Sequence, residues 1–166
     1  MTAEIYDRTL KSIESLEPVR LLIKNNTRRY VDIYWIGYDS SLKRYKTIRA
    51  QETWEINTFK SHPWMFRDYL TGIIMHVDHK EILWPKVQTI EPNEQPQCHR
   101  VFIHLPVQNL KTIALWSLIS QIRSVSDINR MHIPTTLRNE LEALFQQFAS
   151  HRLKNIHAAR MQATHR

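Results

Sequence analysis

The chain has 166 residues, room for one compact domain or two small ones, and 42% of them are apolar, which excludes wholesale disorder. Its formal charge is +7, yet residues 151–166 carry four cations and no acid, leaving 19 cations against 16 acids in residues 1–150. So mildly basic a body argues against a dedicated nucleic-acid groove, and with only two glycines, Gly37 and Gly72, phosphate-cradling and dinucleotide-binding loops are excluded too.

There is no Gly-x-Ser-x-Gly elbow, and the single cysteine, Cys98, rules out an intramolecular disulfide framework or a Cys₂ zinc knuckle. The first fourteen residues carry acids where a signal peptide needs an apolar stretch. No run approaches the roughly 18 uninterrupted apolar residues of a membrane span. These features predict a soluble, intracellular protein.

In chain order, the first hundred residues read as short runs rich in β-branched and aromatic residues: Val19 to Ile23, Tyr30 to Tyr38, Arg44 to Ile48, Thr53 to Phe59, Ile73 to Val77, Lys80 to Leu83 and Val101 to Leu105. In the second run Val31, Ile33 and Trp35 share one face, while Tyr30, Asp32, Tyr34 and Tyr38 share the other. Seven strands with no helical pattern between them predict an antiparallel β-sandwich over residues 19–105, with 1–18 as an extension. Glu91 to Gln97, polar with two prolines, reads as a surface loop.

After Pro106 the period becomes helical. Between Val107 and Ile122, Leu110, Ala114, Leu118 and Ile122 fall every four residues. Ile113, Leu115, Trp116 and Ile119 make the same segment apolar nearly all round, so its second face must be covered either by the sandwich or by another protein, and exposed apolar patches favour the partner. A second helix is predicted from Pro134, with Leu137, Leu141, Leu144, Phe145 and Phe148 on one stripe. Residues 106–150 thus form a small helical domain, followed by a basic tail at 151–166.

Three stretches in order resemble the von Hippel-Lindau tumour-suppressor family, the substrate receptors of a cullin-RING ubiquitin ligase. They are Ser61-His-Pro-Trp-Met-Phe-Arg-Asp68, Trp35 with Tyr45 ten residues on, and His104-Leu-Pro-Val-Gln-Asn-Leu-Lys111. The resemblance spans Val19 to Phe145. It implies a β-domain that captures hydroxyproline and an α-domain that docks on elongin C, which pairs with elongin B.

For the first site, the resemblance assigns Trp35, Tyr45 and Trp64 as aromatic walls and Thr58 and His62 as the pair that hydrogen-bonds the ligand hydroxyl. Asn57 and Phe59 line the rim; they stand where the family has histidine and tyrosine, and Thr58 replaces a serine. A hydroxyprolyl ring is a small apolar disc with one hydroxyl, which suits such walls and such a pair. Arg67 and Asp68 are read as structural. For elongin C, Asn109, Leu110, Ala114 and Leu118 match the family's helical motif, with Asn109 and Ala114 departing from it. Ile133, Pro134 and Leu137 match the cullin-binding box.

The function so implied is a non-catalytic receptor for prolyl-hydroxylated hypoxia-inducible factor α, acting with a cullin scaffold and its RING subunit. It would work in cytoplasm and nucleus, without membrane, nucleic acid, metal or cofactor. Two other readings stay open. A single-stranded nucleic-acid binder would use strand aromatics beside Lys43, Arg44, Lys46 and Arg49. A metallohydrolase would build on His76 and His79 with His62, His99 or His104, although histidines three apart in a strand face opposite ways.

Overall fold

The computed structural model describes the backbone of residues 10–87 and 98–164. The predicted loop from Glu91 to Gln97 therefore lies outside the described residues. Two compact units emerge. One holds residues 10–69, 73–87 and 98–106, the other residues 107–164 together with 70–72.

The first unit is built from strands. In chain order these are β1 (Pro18–Asn25), β2 (Val31–Ile36), β3 (Leu42–Ile48), β4 (Thr53–Phe59), β5 (Trp64–Asp68), β6 (Ile74–Val77), β7 (Ile82–Leu83) and β8 (His99–His104). The hydrogen-bonded path runs β3-β2-β5-β6-β8-β1-β4, with β7 paired to β5. Consecutive strands β3 and β4 thus sit at opposite ends of the path. Both nevertheless send side chains into one core, through Ile48 from β3 and Trp54 and Ile56 from β4. Leu21, Ile33, Trp64, Phe66, Met75, Val101 and Ile103 meet in the same cluster. The sheet is therefore curled and nearly closed around a single apolar interior.

Two expectations need correction. Among the described residues there are eight strands rather than seven, because β5 was not read as one. The sheet is also not wholly antiparallel: β1 runs parallel to β8, with Leu21 opposite His99 and Asn25 opposite Ile103. β8 also pairs antiparallel to β6 on its other side, with His76 opposite His104.

Strand β2 departs from its expected two-faced pattern in an informative way. Val31, Ile33 and Trp35 are buried as predicted, but Asp32 on the other face is buried too. Its carboxylate is fully enclosed, 2.8 Å from Arg44 Nη2, and it accepts a hydrogen bond from the Thr47 hydroxyl. A buried charge must be paired, and β3 supplies the pair. Replacing Asp32 by Ala should destabilise this unit by about 3–5 kcal/mol, because Arg44 would remain partly buried without its counter-charge. Urea unfolding would read the loss. The same change at Glu55, whose pairing with Arg20 lies on the surface, should barely move the midpoint. Asp68 is likewise structural: it is buried and pairs with Arg29 at 3.2 Å.

The second unit has three helices, α1 (Leu110–Ile119), α2 (Val125–Asn129) and α3 (Thr135–Thr164). The first is shorter than the predicted run from Val107 to Ile122. Asn109 ends it on the N-terminal side, its carboxamide oxygen accepting from the Thr112 amide at 2.8 Å. Helix α2 was not predicted; its five residues are too few to show a period, and a capping box of Ser124 and Asp127 starts it. Helix α3 begins one residue after Pro134 and continues unbroken past Ser150. Leu115, Ile119, Ile122, Ile128 and Leu141 form the core, with Trp116, Leu118, Ile133 and Phe145 packed against it. Among the described residues, no helix is long and apolar enough to cross a membrane.

Candidate functional site

The aromatic residues singled out in the sequence converge at one end of the curled sheet. Trp35 on β2 lies directly opposite Trp64 on β5 in the strand register. Tyr45 reaches both from β3, with ring centroids 6.2 Å from Trp35 and 5.0 Å from Trp64. A local irregularity explains how. Ile33 pairs with Lys46 and Tyr34 with Arg44, so Tyr45 is an extra residue with no partner on β2. Such a bulge re-aims a side chain, and here it presents a half-exposed tyrosine over two buried tryptophans.

The polar pair sits beside these walls. Thr58 on β4 is 4% exposed, and its hydroxyl accepts from the Trp64 indole N–H at 3.1 Å. Accepting that bond leaves the hydroxyl its own proton to donate. His62 follows at a tight turn, its amide donating to the Phe59 carbonyl at 3.0 Å. Its imidazole lies 5.3 Å from the Trp35 ring and 5.0 Å from the Phe59 ring. Trp35 adds a buried indole N–H with no acceptor, a donor still to be satisfied. Lys43 stands 5.1 Å over the Trp35 ring, while its neighbours Arg44 and Lys46 are engaged by Asp32 and Glu52.

Of the predicted pocket residues, Trp35, Tyr45, Thr58, Phe59, His62 and Trp64 are thus brought together. Asn57 is not part of that cluster: it is exposed, and strand alternation turns it to the face away from Thr58. Two participants were missed. Tyr38, beyond the end of β2, stacks edge-on against both Trp35 and His62 at 5.4 and 5.6 Å. Ser15, in the segment read as an extension, approaches His62 Nε2 at 3.1 Å. Tyr38 carries a weak sequence signal, three residues after Trp35 beside Gly37. Ser15 carries none, since 47 residues separate it from His62.

Burial holds the His62 imidazole below the ordinary histidine pKa, opposed by the neighbouring Ile13 backbone. His99 on β8 is held below it as well, first by burial and then by nearby Lys86. Its Nδ1 accepts the Lys86 amide at 3.1 Å, a bond that protonation would break. Both groups take up protons less readily when folded than when unfolded, where they titrate at about 6.5. Their neutral state costs nothing above that value, and stability falls as pH drops below it, where the unfolded chain binds more protons. The melting temperature should decline from about pH 7.5 to about pH 5.5. His99→Gln, which can keep the acceptor, should flatten that slope.

Residues 10–90 match the family model of the VHL beta domain. The chain is also similar to Protein Vhl of Drosophila melanogaster, 33% identical over 137 residues that cover 76% of this chain and 77% of that protein. The chain belongs to the von Hippel-Lindau family. The match to the VHL beta domain includes residues 10–17, so the segment carrying Ser15 is part of that domain rather than an appendage.

The helical unit lies beyond the VHL beta domain match. On α1, Leu110 is 81% exposed and Ile113 51%, with Val107 just before the helix at 92%. Ala114 is exposed beside them, whereas Leu118 is half-buried against the helical core. Asn109, Leu110 and Ala114 therefore stand at an open apolar surface, and Leu118 is shared with the interior. Of the predicted cullin-box residues, Pro134 is exposed, Leu137 half-buried, and Ile133 packs on the core. Among the described residues, no group of three or more His, Cys, Asp or Glu is gathered as metal ligands would be.

Proposed function

We propose that this von Hippel-Lindau family member is the substrate-recognition subunit of an elongin–cullin–RING ubiquitin ligase. In this reading it binds prolyl-hydroxylated hypoxia-inducible factor α and delivers it for ubiquitination, while catalysis occurs on other subunits. The observation that carries the reading is the cluster of Trp35, Tyr45 and Trp64 around the Thr58 hydroxyl and the His62 imidazole. Aromatic faces accept the pyrrolidine ring by dispersion and burial, and the two polar groups meet its hydroxyl. An unmodified proline would leave the Thr58 hydroxyl proton without an acceptor in a dry place and would forgo the bond to His62.

Family membership and the open apolar face of α1 support elongin C, with elongin B, as the partner of the helical unit. Ile133, Pro134 and Leu137 would meet the cullin scaffold and its RING subunit. Activity in cytoplasm and nucleus, with no cofactor of its own, completes the proposal. The deciding experiment is a paired calorimetric titration with a hydroxyprolyl peptide and its prolyl twin. Binding of the first alone supports the pocket; equal binding removes it.

A further inference from the structure

The pocket histidine already has a hydroxyl beside it. Ser15 Oγ is 3.1 Å and Tyr38 Oη 3.2 Å from His62 Nε2, and the two oxygens are 2.9 Å apart. A ring nitrogen makes one in-plane hydrogen bond, so two hydroxyls share a single place. One of them is surplus and can be exchanged.

Ser15 is held there by its flanks rather than by chance contact. The Ser12 amide donates to the Gly37 carbonyl at 3.1 Å, and the Ser12 hydroxyl, buried, donates to the Ile36 carbonyl at 2.6 Å. The Ser61 hydroxyl donates to the Glu14 carbonyl at 2.6 Å, and the Lys60 amide to the Glu17 carbonyl at 2.9 Å. The strap is thus pinned on both sides of Ser15. Between the pins the side chain is exposed and bonded only through its hydroxyl.

We propose that Ser15 is the resident hydroxyl of this pocket, a specificity-determining residue that occupies His62 Nε2 in the empty site and yields it to the hydroxyl of a ligand. The inference rests on the hydroxyl-reading pocket proposed above and adds a competitor built into the chain. A tethered hydroxyl competes at a high effective concentration, as any intramolecular group does. Without it, only Tyr38 Oη, 3.2 Å away, remains at Nε2, and a ligand hydroxyl has one competitor fewer to displace. The prolyl ligand offers nothing to Nε2 and gains nothing from the change.

Ser15→Ala should therefore tighten the hydroxyprolyl peptide by about three- to tenfold while leaving the prolyl peptide as weak as before. Ser15→Thr, which restores the hydroxyl, should return the wild-type ratio. Melting of the unliganded variants checks that each is folded, and Ser15→Ala should melt slightly lower than Ser15→Thr because Nε2 has lost one of its two hydroxyl contacts. A wild-type preference with an unchanged or narrowed ratio in Ser15→Ala overturns this proposal alone. A wild-type chain that binds both peptides equally overturns the pocket reading and this inference with it.

Discussion

Titrated with paired peptides, the wild-type chain should favour the hydroxyprolyl form by about a hundredfold, and Thr58→Val should erase most of that preference. The size follows from burial. Thr58 is 4% exposed and Trp64 2%, so a prolyl ligand would seal the Thr58 donor away from water with nothing to bond and would forgo a hydrogen bond to His62, whose Nε2 would keep Ser15 and Tyr38. That orphan costs about 1–3 kcal/mol, and the bond to His62 that only a ligand hydroxyl can make adds about 1 kcal/mol, which together amount to about a hundredfold. Valine keeps the shape and β-branching of threonine, so the strand and the aromatic walls should stay in place. It removes the hydroxyl and also strips Trp64 Nε1 of its 3.1 Å acceptor. The hydroxyprolyl peptide should weaken by at least about tenfold, the prolyl peptide hardly at all. A Thr58→Val chain that keeps the full ratio would leave His62 as the sole reader of the hydroxyl, and the proposed pair would be wrong.

Much of this pocket was legible because its parts are chemically conspicuous. Trp35, Tyr45, Thr58, His62 and Trp64 are residue types that walls and hydroxyl readers require, and their order matches a known family. What escaped notice was set by long-range geometry. Strand β5, Trp64 to Asp68, is buried at four of its five positions, so it shows no alternation and hid behind the His62-Pro63 turn. Central position explains this, since β5 pairs with β2, β6 and β7. The bulge at Tyr45 exists only as a mismatch between two strands, which a single sequence does not display. Alternation puts Asp32 on the face opposite Val31, Ile33 and Trp35, and only the pairing with β3 reveals that Arg44 closes over it. Asn57 was placed at the rim by resemblance alone, and the two-residue period of β4 turns it elsewhere.

The helical unit was legible in a different way. Its first helix is apolar nearly all round, and three helices are enough to cover only one side of it. Leu115 and Ile119 go inward at 6% and 1% exposure, while Leu110 and Ile113 stay at 81% and 51%. Apolar surface left open in that pattern, next to a capped helix start, fits a partner groove read by residues three and four apart.

Leu110→Arg should accordingly abolish capture of elongin C in a pull-down, a loss of at least about a hundredfold, with the chain still folded. Nothing in the fold depends on that side chain, so the exchange should leave circular dichroism and melting unchanged in the isolated protein. At an interface the arginine would be driven into an apolar pocket with no counter-charge, and the desolvation of its guanidinium has no compensation. Leu115→Arg is the necessary contrast. That residue is buried in the helical core, so the same charge there should unfold the helical unit and abolish capture through loss of structure. The discriminating result is Leu110→Arg losing elongin C while its hydroxyprolyl peptide titration stays at the wild-type affinity. If capture survives at Leu110→Arg, the docking surface is not the open face of α1, and the apolar exposure there must be answered by some other partner.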